Sequence, residues 1–269
     1  MKPTISIIIP TWNTAQITLK CIQTIKKHLP AGFAQIVIVD NGSTDDTPAV
    51  LGKMPDITYV RNSTNLGFSA GNNVGVKKAI ADYFLFLNSD MELTDSSLVD
   101  MVKYLQTHPD IGAIGPMFLN PDLTPQGSVM PPQTPLNAFR EYWLHIPAYV
   151  KYIPQTDTPI SVWAVSGGAI LISRQDYDRI SGWDERYFFY YEDLEFCRQI
   201  RHLSKKVFFY PQCQVIHRHG ASGTNVAAPK DQWRRLIPSS IKFHGYFMHH
   251  VINFIIWSSQ KWQSIFPKK

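Results

Sequence analysis

Apolar and polar positions change rhythm along this chain in a repeating way. "TISIIIP" (4–10), "QIVIVD" (35–40), "ITYVRN" (57–62) and "DYFLFLN" (82–88) are short, nearly continuous apolar runs rich in β-branched and aromatic residues. Runs of that length and composition read as buried strands. Between them the period lengthens. Residues 14–29 place Ile17, Cys21, Ile25 and Leu29 at helical spacing, "STDDTPAVLGKM" (43–54) opens with helix-cap residues, and 68–80 reads as a third helix. Alternation of continuous apolar strands with helices predicts an α/β fold whose parallel sheet is covered on both faces.

The second half is less regular. "NPDLTPQGSVMPPQTP" (120–135) holds five prolines in sixteen residues and reads as a loop or excursion. "VWAVSGGAILISR" (162–174) reads as a strand interrupted by the pair Gly167-Gly168. "EDLEFCRQIRHL" (192–203) reads as a helix with acids in its first turn and bases toward its end, as the helix dipole favours. "KVFFYP" and "CQVIHRHG" are strand-like.

Length and composition narrow the class. The chain has 269 residues with 44% hydrophobic content, enough for one large α/β domain or two small ones. Three cysteines imply no disulfide framework and point to a reducing, cytoplasmic compartment. The first apolar run is too short for a signal peptide, and no uninterrupted apolar stretch reaches the length of a spanning helix. The net charge of +5 is unevenly spread. Residues 201–269 contain eleven Lys or Arg and one acid, Asp231, so the first 200 residues carry a net −5. A basic C-terminal third calls for an anionic partner. No nucleic-acid recognition motif accompanies it.

Ligands of such sheets bind beyond the carboxyl ends of the strands. That places "PTWN" (10–13), "DNGSTDD" (40–46), "NSTNLGF" (62–68) and "NSD" (88–90) along one rim. Each string has two readings. Asp40 either ends an ordinary strand-to-helix turn or hydrogen-bonds a nucleoside. The glycines of "NLGFSAGNNVG" either admit a diphosphate or allow tight helix–sheet packing. "NSD" is either a turn or a strand end delivering Asp90 to a cation shared with phosphates. In "GWDERYFFYYEDLEF" (182–196) a run of five aromatics, Tyr187 to Tyr191, lies between Glu185 and Glu192-Asp193, a setting that suits a general base or an aromatic core with a helix cap. Cys213, His217 and His219 lack paired zinc spacing, whereas one imidazole suits a mixed oxygen and nitrogen site.

Together "SIIIPTWN", "VDNGSTDDT", "NLGFSAGNN", "FLFLNSD", "SGGAILISR", "GWDERYFFYYEDLEFCRQIR" and "VIHRHGAS" resemble, in that order, the family-2 inverting glycosyltransferases, and within them the rhamnosyltransferase-like branch. The resemblance implies a GT-A fold over residues 1–222. Residues 1–118 would form the nucleotide-sugar half and 119–222 the acceptor half, followed by a basic, aromatic tail (223–269). It implies nucleotide-sugar contacts at Pro10, Thr11, Asn13, Asp40, Asn65, Gly67, Phe68, Asn72, Asn88 and Ser89. It implies Mn²⁺ or Mg²⁺ at Asp90 and His217, acceptor contacts at Gly167, Gly168, Trp183 and Tyr191, and a base from Glu192-Asp193, with Asp193 preferred. Asn88 stands where the stricter pattern has a first Asp, so the amide brings no charge to the metal.

The partners implied are a nucleoside-diphosphate sugar, rhamnose being suggested by the branch, and a glycan or lipid-linked glycan acceptor. The alternative is a non-catalytic subunit of the same fold that binds nucleotide-sugar or glycan. A sugar nucleotidyltransferase would need a Gly- and Lys-rich N-terminal signature that "IIIPTWNTA" lacks. The tail "IKFHGYFMHHVINFIIWSSQKWQSIFPKK" (241–269) reads either as an amphipathic helix on an anionic membrane, at the inner face of the cell membrane, or as a helix packed on the domain or at an oligomer interface.

Overall fold

The computed structural model describes residues 2–218 and 232–266, the side chains of 232–235 excepted. His219, Lys268 and Lys269 lie outside the described residues. The first half follows the expected alternation: β1 (Ile5–Thr11), α1 (Ala15–His28), β2 (Ala34–Asp40), α2 (Thr47–Leu51), β3 (Thr58–Arg61), α3 (Phe68–Val76) and β4 (Tyr83–Leu87). These strands pair in parallel in the order β3-β2-β1-β4. Their side chains alternate between two apolar layers. Ile5, Ile7, Ile9, Leu85 and Leu87 face one layer with α1, while Ile8, Phe84 and Phe86 face the other. Burial on both faces is why these strands read as continuous apolar runs.

The rest of the sheet is mixed. β5 (Met91–Leu93), α4 (Leu98–Thr107) and β6 (Ile111–Leu119) follow β4. The excursion is partly ordered, with β7 (Pro125–Gln126), β8 (Val129–Met130), α5 (Pro135–Tyr142) and β9 (Ile160–Val162). Pro135 opens α5 behind Thr134, whose hydroxyl accepts from the Asn137 N–H, so two of these residues start a helix that proline density argued against. The single strand expected across 162–174 is two. β10 (Ala164–Val165) pairs with β8 in a separate ribbon, and β11 (Ala169–Ser173) enters the main sheet antiparallel to both β4 and β6. Gly167-Gly168 makes the crossing between them.

α6 (Arg174–Arg179) and α7 (Glu192–His202) precede β12 (Lys206–His217), one long strand rather than two. β12 runs parallel to β6, with a register shift between Tyr210 and Gln214 where Pro211 supplies no N–H. The path thus continues β4-β11-β6-β12-β5, so the sheet passes unbroken from the first half into the second. α8 (Gln232–His244) and α9 (Tyr246–Ile265) close the described chain.

Candidate active site

The carboxyl ends of β1, β2 and β4 meet at a cleft of about 90 Å³ lined by Pro10, Thr11, Trp12, Asn41, Asn65, Gly67, Phe68, Asn88, Ser89, Phe188 and Phe189. Seven of these are expected nucleotide-sugar residues. Trp12, Asn41, Phe188 and Phe189 were not singled out, although Trp12 sits inside the quoted "PTWN" and Phe188-Phe189 inside the aromatic string.

Asn13 and Asp40 shape one wall from behind. Asn13, at φ +54°, donates its N–H to Ser43 Oγ (2.9 Å) and accepts from the Thr44 N–H through Oδ1 (2.8 Å). Asp40 is fully buried. Its Oδ1 accepts from the Ser43 N–H (2.8 Å) and its Oδ2 from the Tyr59 hydroxyl (2.5 Å), with Arg61 Nε at 3.6 Å. The acid therefore holds the β2–α2 turn, and Tyr59 stands against its outer oxygen.

The glycine question resolves toward packing at Gly75, where a Cβ would overlap Ile8, and toward turn geometry at Gly67. Gly67 has φ +86° and lies under Phe188, and its N–H donates to Asn65 Oδ1 (2.9 Å). Asn72 is buried within α3, donating to Phe68 O (3.1 Å), one layer below the cleft.

Asn88, Ser89 and Asp90 turn directly off β4. The Asn88 N–H donates to Gly168 O (2.9 Å), while the Gly167 N–H donates to Asp193 Oδ2 (3.0 Å). Two adjacent glycines thus join the strand end that carries Asp90 to the start of α7. Asp193 is half-buried and also accepts from the Leu194 N–H (2.9 Å). Glu192 differs. It is buried, its Oε2 has no hydrogen-bond partner, and burial first, then the adjacent Asp193, push its carboxyl up to about 8. Of the acidic pair, Asp193 reaches the solvent side and Glu192 lies beneath it. Tyr190 and Tyr191, at φ +71° and +66°, set this orientation through a left-handed entry to α7 that the surrounding structure holds in place.

His217, at the end of β12, faces Asp90, with Nε2 3.7 Å from Oδ1. Gln126 orients the ring. Its amide nitrogen donates to Asn120 Oδ1 (2.8 Å), so its oxygen, 2.6 Å from His217 Nδ1, is the acceptor and Nδ1 carries the proton. Nε2 faces the carboxylate, and these two side chains are the described groups that would hold a divalent cation here. No group of three or more His, Cys, Asp or Glu converges on one point among the described residues, so a cation here would complete its shell with diphosphate oxygens and water. Gln126 had no signal in the sequence, because only the pairing of β7 with β6 brings it there.

Two expected acceptor residues are engaged in packing. Trp183 is buried in the core against Phe68, Phe86 and Phe196 and supports the wall from behind. Tyr191 packs on Phe243 and His244 of α8, joining the tail to the base of the site.

The sequence profile described as glycosyl transferase family 2 matches residues 6–180. The chain belongs to that family. A second profile, described as the N-terminal domain of galactosyltransferase, matches residues 148–220. An N-acetylglucosaminyl-diphospho-decaprenol L-rhamnosyltransferase of Mycobacterium tuberculosis is 25% identical over 214 residues, covering 70% of this chain and 67% of the relative. The O-antigen biosynthesis protein RfbC of Myxococcus xanthus is 26% identical over 86% of this chain, which spans only 18% of that protein. The low-salt glycan biosynthesis hexosyltransferase Agl10 of Haloferax volcanii is 28% identical over 69% of this chain and 58% of its own.

Among solved structures, the mannosyltransferase PcManGT of Pyrobaculum calidifontis, in complex with GDP-Man and Mn²⁺, superposes with a TM-score of 0.62 at 15% identity over 100% of this chain and 77% of that one. GalNAc-T7 with UDP, GalNAc and Mn²⁺ gives 0.63 at 18% identity over 80% of this chain and 43% of that one. Likeness at these identities shows the fold, and the family-2 chain has the GT-A architecture.

Proposed function

We propose that this family-2 glycosyltransferase transfers a sugar from a nucleoside diphosphate to a hydroxyl of a glycan or lipid-linked glycan by single displacement, inverting the anomeric centre. The observation that carries the reading is the Gly167-Gly168 bridge, which ties Asn88 on one side and Asp193 on the other, so donor and base sites share one rigid reference. The nucleoside diphosphate occupies the cleft over Pro10, Thr11, Asn65 and Phe68. Asp90 and His217 hold Mn²⁺ or Mg²⁺, which when bound offsets charge on the departing diphosphate. Asp193 takes the acceptor proton as the acceptor oxygen bonds to the anomeric carbon and the nucleoside diphosphate leaves from the opposite face. Glu192 lies buried beneath, where burial and the neighbouring Asp193 push its carboxyl up and disfavour a second negative charge beside the base. Rhamnose is the sugar to test first, because the mycobacterial relative is an L-rhamnosyltransferase.

The experiment is donor binding and hydrolysis over a panel of nucleotide-sugars with and without Mn²⁺, with Asp90→Ala and Asp193→Ala beside the unmodified protein. One donor should bind with metal, lose binding in Asp90→Ala and keep it in Asp193→Ala. Failure of every donor to bind would favour a non-catalytic subunit.

A further inference from the structure

α9 turns its largest apolar side chains outward. Its inward side is mixed: Ile252 is buried there, while His249 Nδ1 meets Ser240 Oγ (2.8 Å), and Ser259 Oγ and Gln263 Nε2 donate to Tyr142 O (2.6 and 3.3 Å). Its outward side carries Phe247, Phe254, Trp257 and Ile265, spaced by sevens, threes and eights along one helical stripe. The first three are 73%, 64% and 59% exposed. A surface helix of a soluble domain has the opposite polarity.

α5 lies beside α9, and an aromatic path through Phe139, Trp143, Trp262 and Phe266 links its exposed side to the exposed C-terminal end of α9. It docks on α9 through Trp143 Nε1 donating to Ile255 O (3.2 Å) and through Trp143 against Trp262. It leaves Leu136 and Phe139 exposed, with Leu144 and Ile146 just beyond it. Contiguous apolar surface of this kind marks an interaction site.

Charge decides the partner. Residues 232–269 contain no Asp or Glu. Arg140 and Lys261 are exposed on α5 and α9, and the one acid of α5, Glu141, turns inward to accept the Ala148 and Tyr149 N–H groups (2.5 and 3.0 Å). A second copy of this face would set cation against cation. No helix among the described residues is long and apolar enough to cross a membrane.

We infer that α5, the segment after it and α9 form one composite platform that lies in the interface of an anionic lipid bilayer. The platform is tied to the catalytic helix through α8: Arg198 of α7 donates to Phe243 O (3.2 Å) and stacks on the Phe243 ring, and Ser240 of α8 meets His249 of α9. The acceptor side of the cleft is thereby held at a fixed attitude to the lipid.

The test is flotation of the full chain with vesicles of phosphatidylcholine alone and of phosphatidylcholine with phosphatidylglycerol. Binding should require the anionic lipid, weaken with salt, and fall at least about tenfold in Phe254→Ser/Trp257→Ser. It should fall also in Leu136→Ser/Phe139→Ser, the pair that distinguishes a composite platform from a tail helix acting alone. Circular dichroism checks that both variants fold, and Arg140→Glu/Lys261→Glu tests the charge contribution without touching apolar surface. Failure to float with either vesicle, or binding unchanged by the apolar pairs, overturns the inference. So does a dimer in light scattering that the α9 pair converts to monomer. These vesicles carry no donor or acceptor, so the outcome is independent of the proposed transfer.

Discussion

Glu192 and Asp193 are neighbours with opposite surroundings, and that difference has measurable effects. Because the folded protein raises the Glu192 carboxyl from an ordinary 4.5 to about 8, its contribution to stability is fully present below 4.5 and is lost as pH rises through 8. Glu192→Gln should remove that loss, so the variant's Tm should gain on the unmodified protein between pH 5 and 9 in scanning calorimetry. Equal slopes would show that Glu192 ionises freely. Gly167 tests positioning. A Cβ there would lie 3.2 Å from the Asp193 Cβ, so Gly167→Ala should displace the carboxylate and cut kcat by roughly 10²-fold. Donor KM and Tm should change little, which steady-state kinetics and thermal melts separate.

Among elements, the two-residue strand β7 has the largest effect for its size, since it delivers Gln126 to His217. Gln126→Ala leaves the ring without its orienting acceptor. Affinity for Mn²⁺ in the presence of nucleoside diphosphate should drop by about 10- to 100-fold, read by calorimetric titration, with the fold unchanged by circular dichroism. This is also where sequence reading stopped. Strands β1, β2 and β4 were legible because both their faces are buried, and the rim residues followed from where those strands end. Trp183 was expected at the acceptor only through the family resemblance, and its packing against Phe68 and Phe196 is tertiary information that places it in the core. The break of 162–174 into two strands was marked by its glycine pair, but nothing local says that β11 inserts between β4 and β6.

At the scale of the molecule, the same insertion makes the sheet one hydrogen-bonded body from β3 to β5. Unfolding should therefore be a single transition, with tryptophan fluorescence and far-ultraviolet circular dichroism coincident in urea. Two separated transitions would mean that the halves are independent. The interleaving also limits how new specificities arise. A cut at residue 118 falls inside β6 and divides a strand flanked by β11 and β12, so the halves cannot be exchanged as blocks between relatives. The excursion between β6 and β11 is different. Within it β7 pairs with β6 and β9 with β12 in the main sheet, but the stretch between Met130 and Ile160, which carries α5, adds no strand to that sheet. Recombination there spares the shared sheet, which makes this proline-rich stretch the part of the chain most open to inheritance as a cassette.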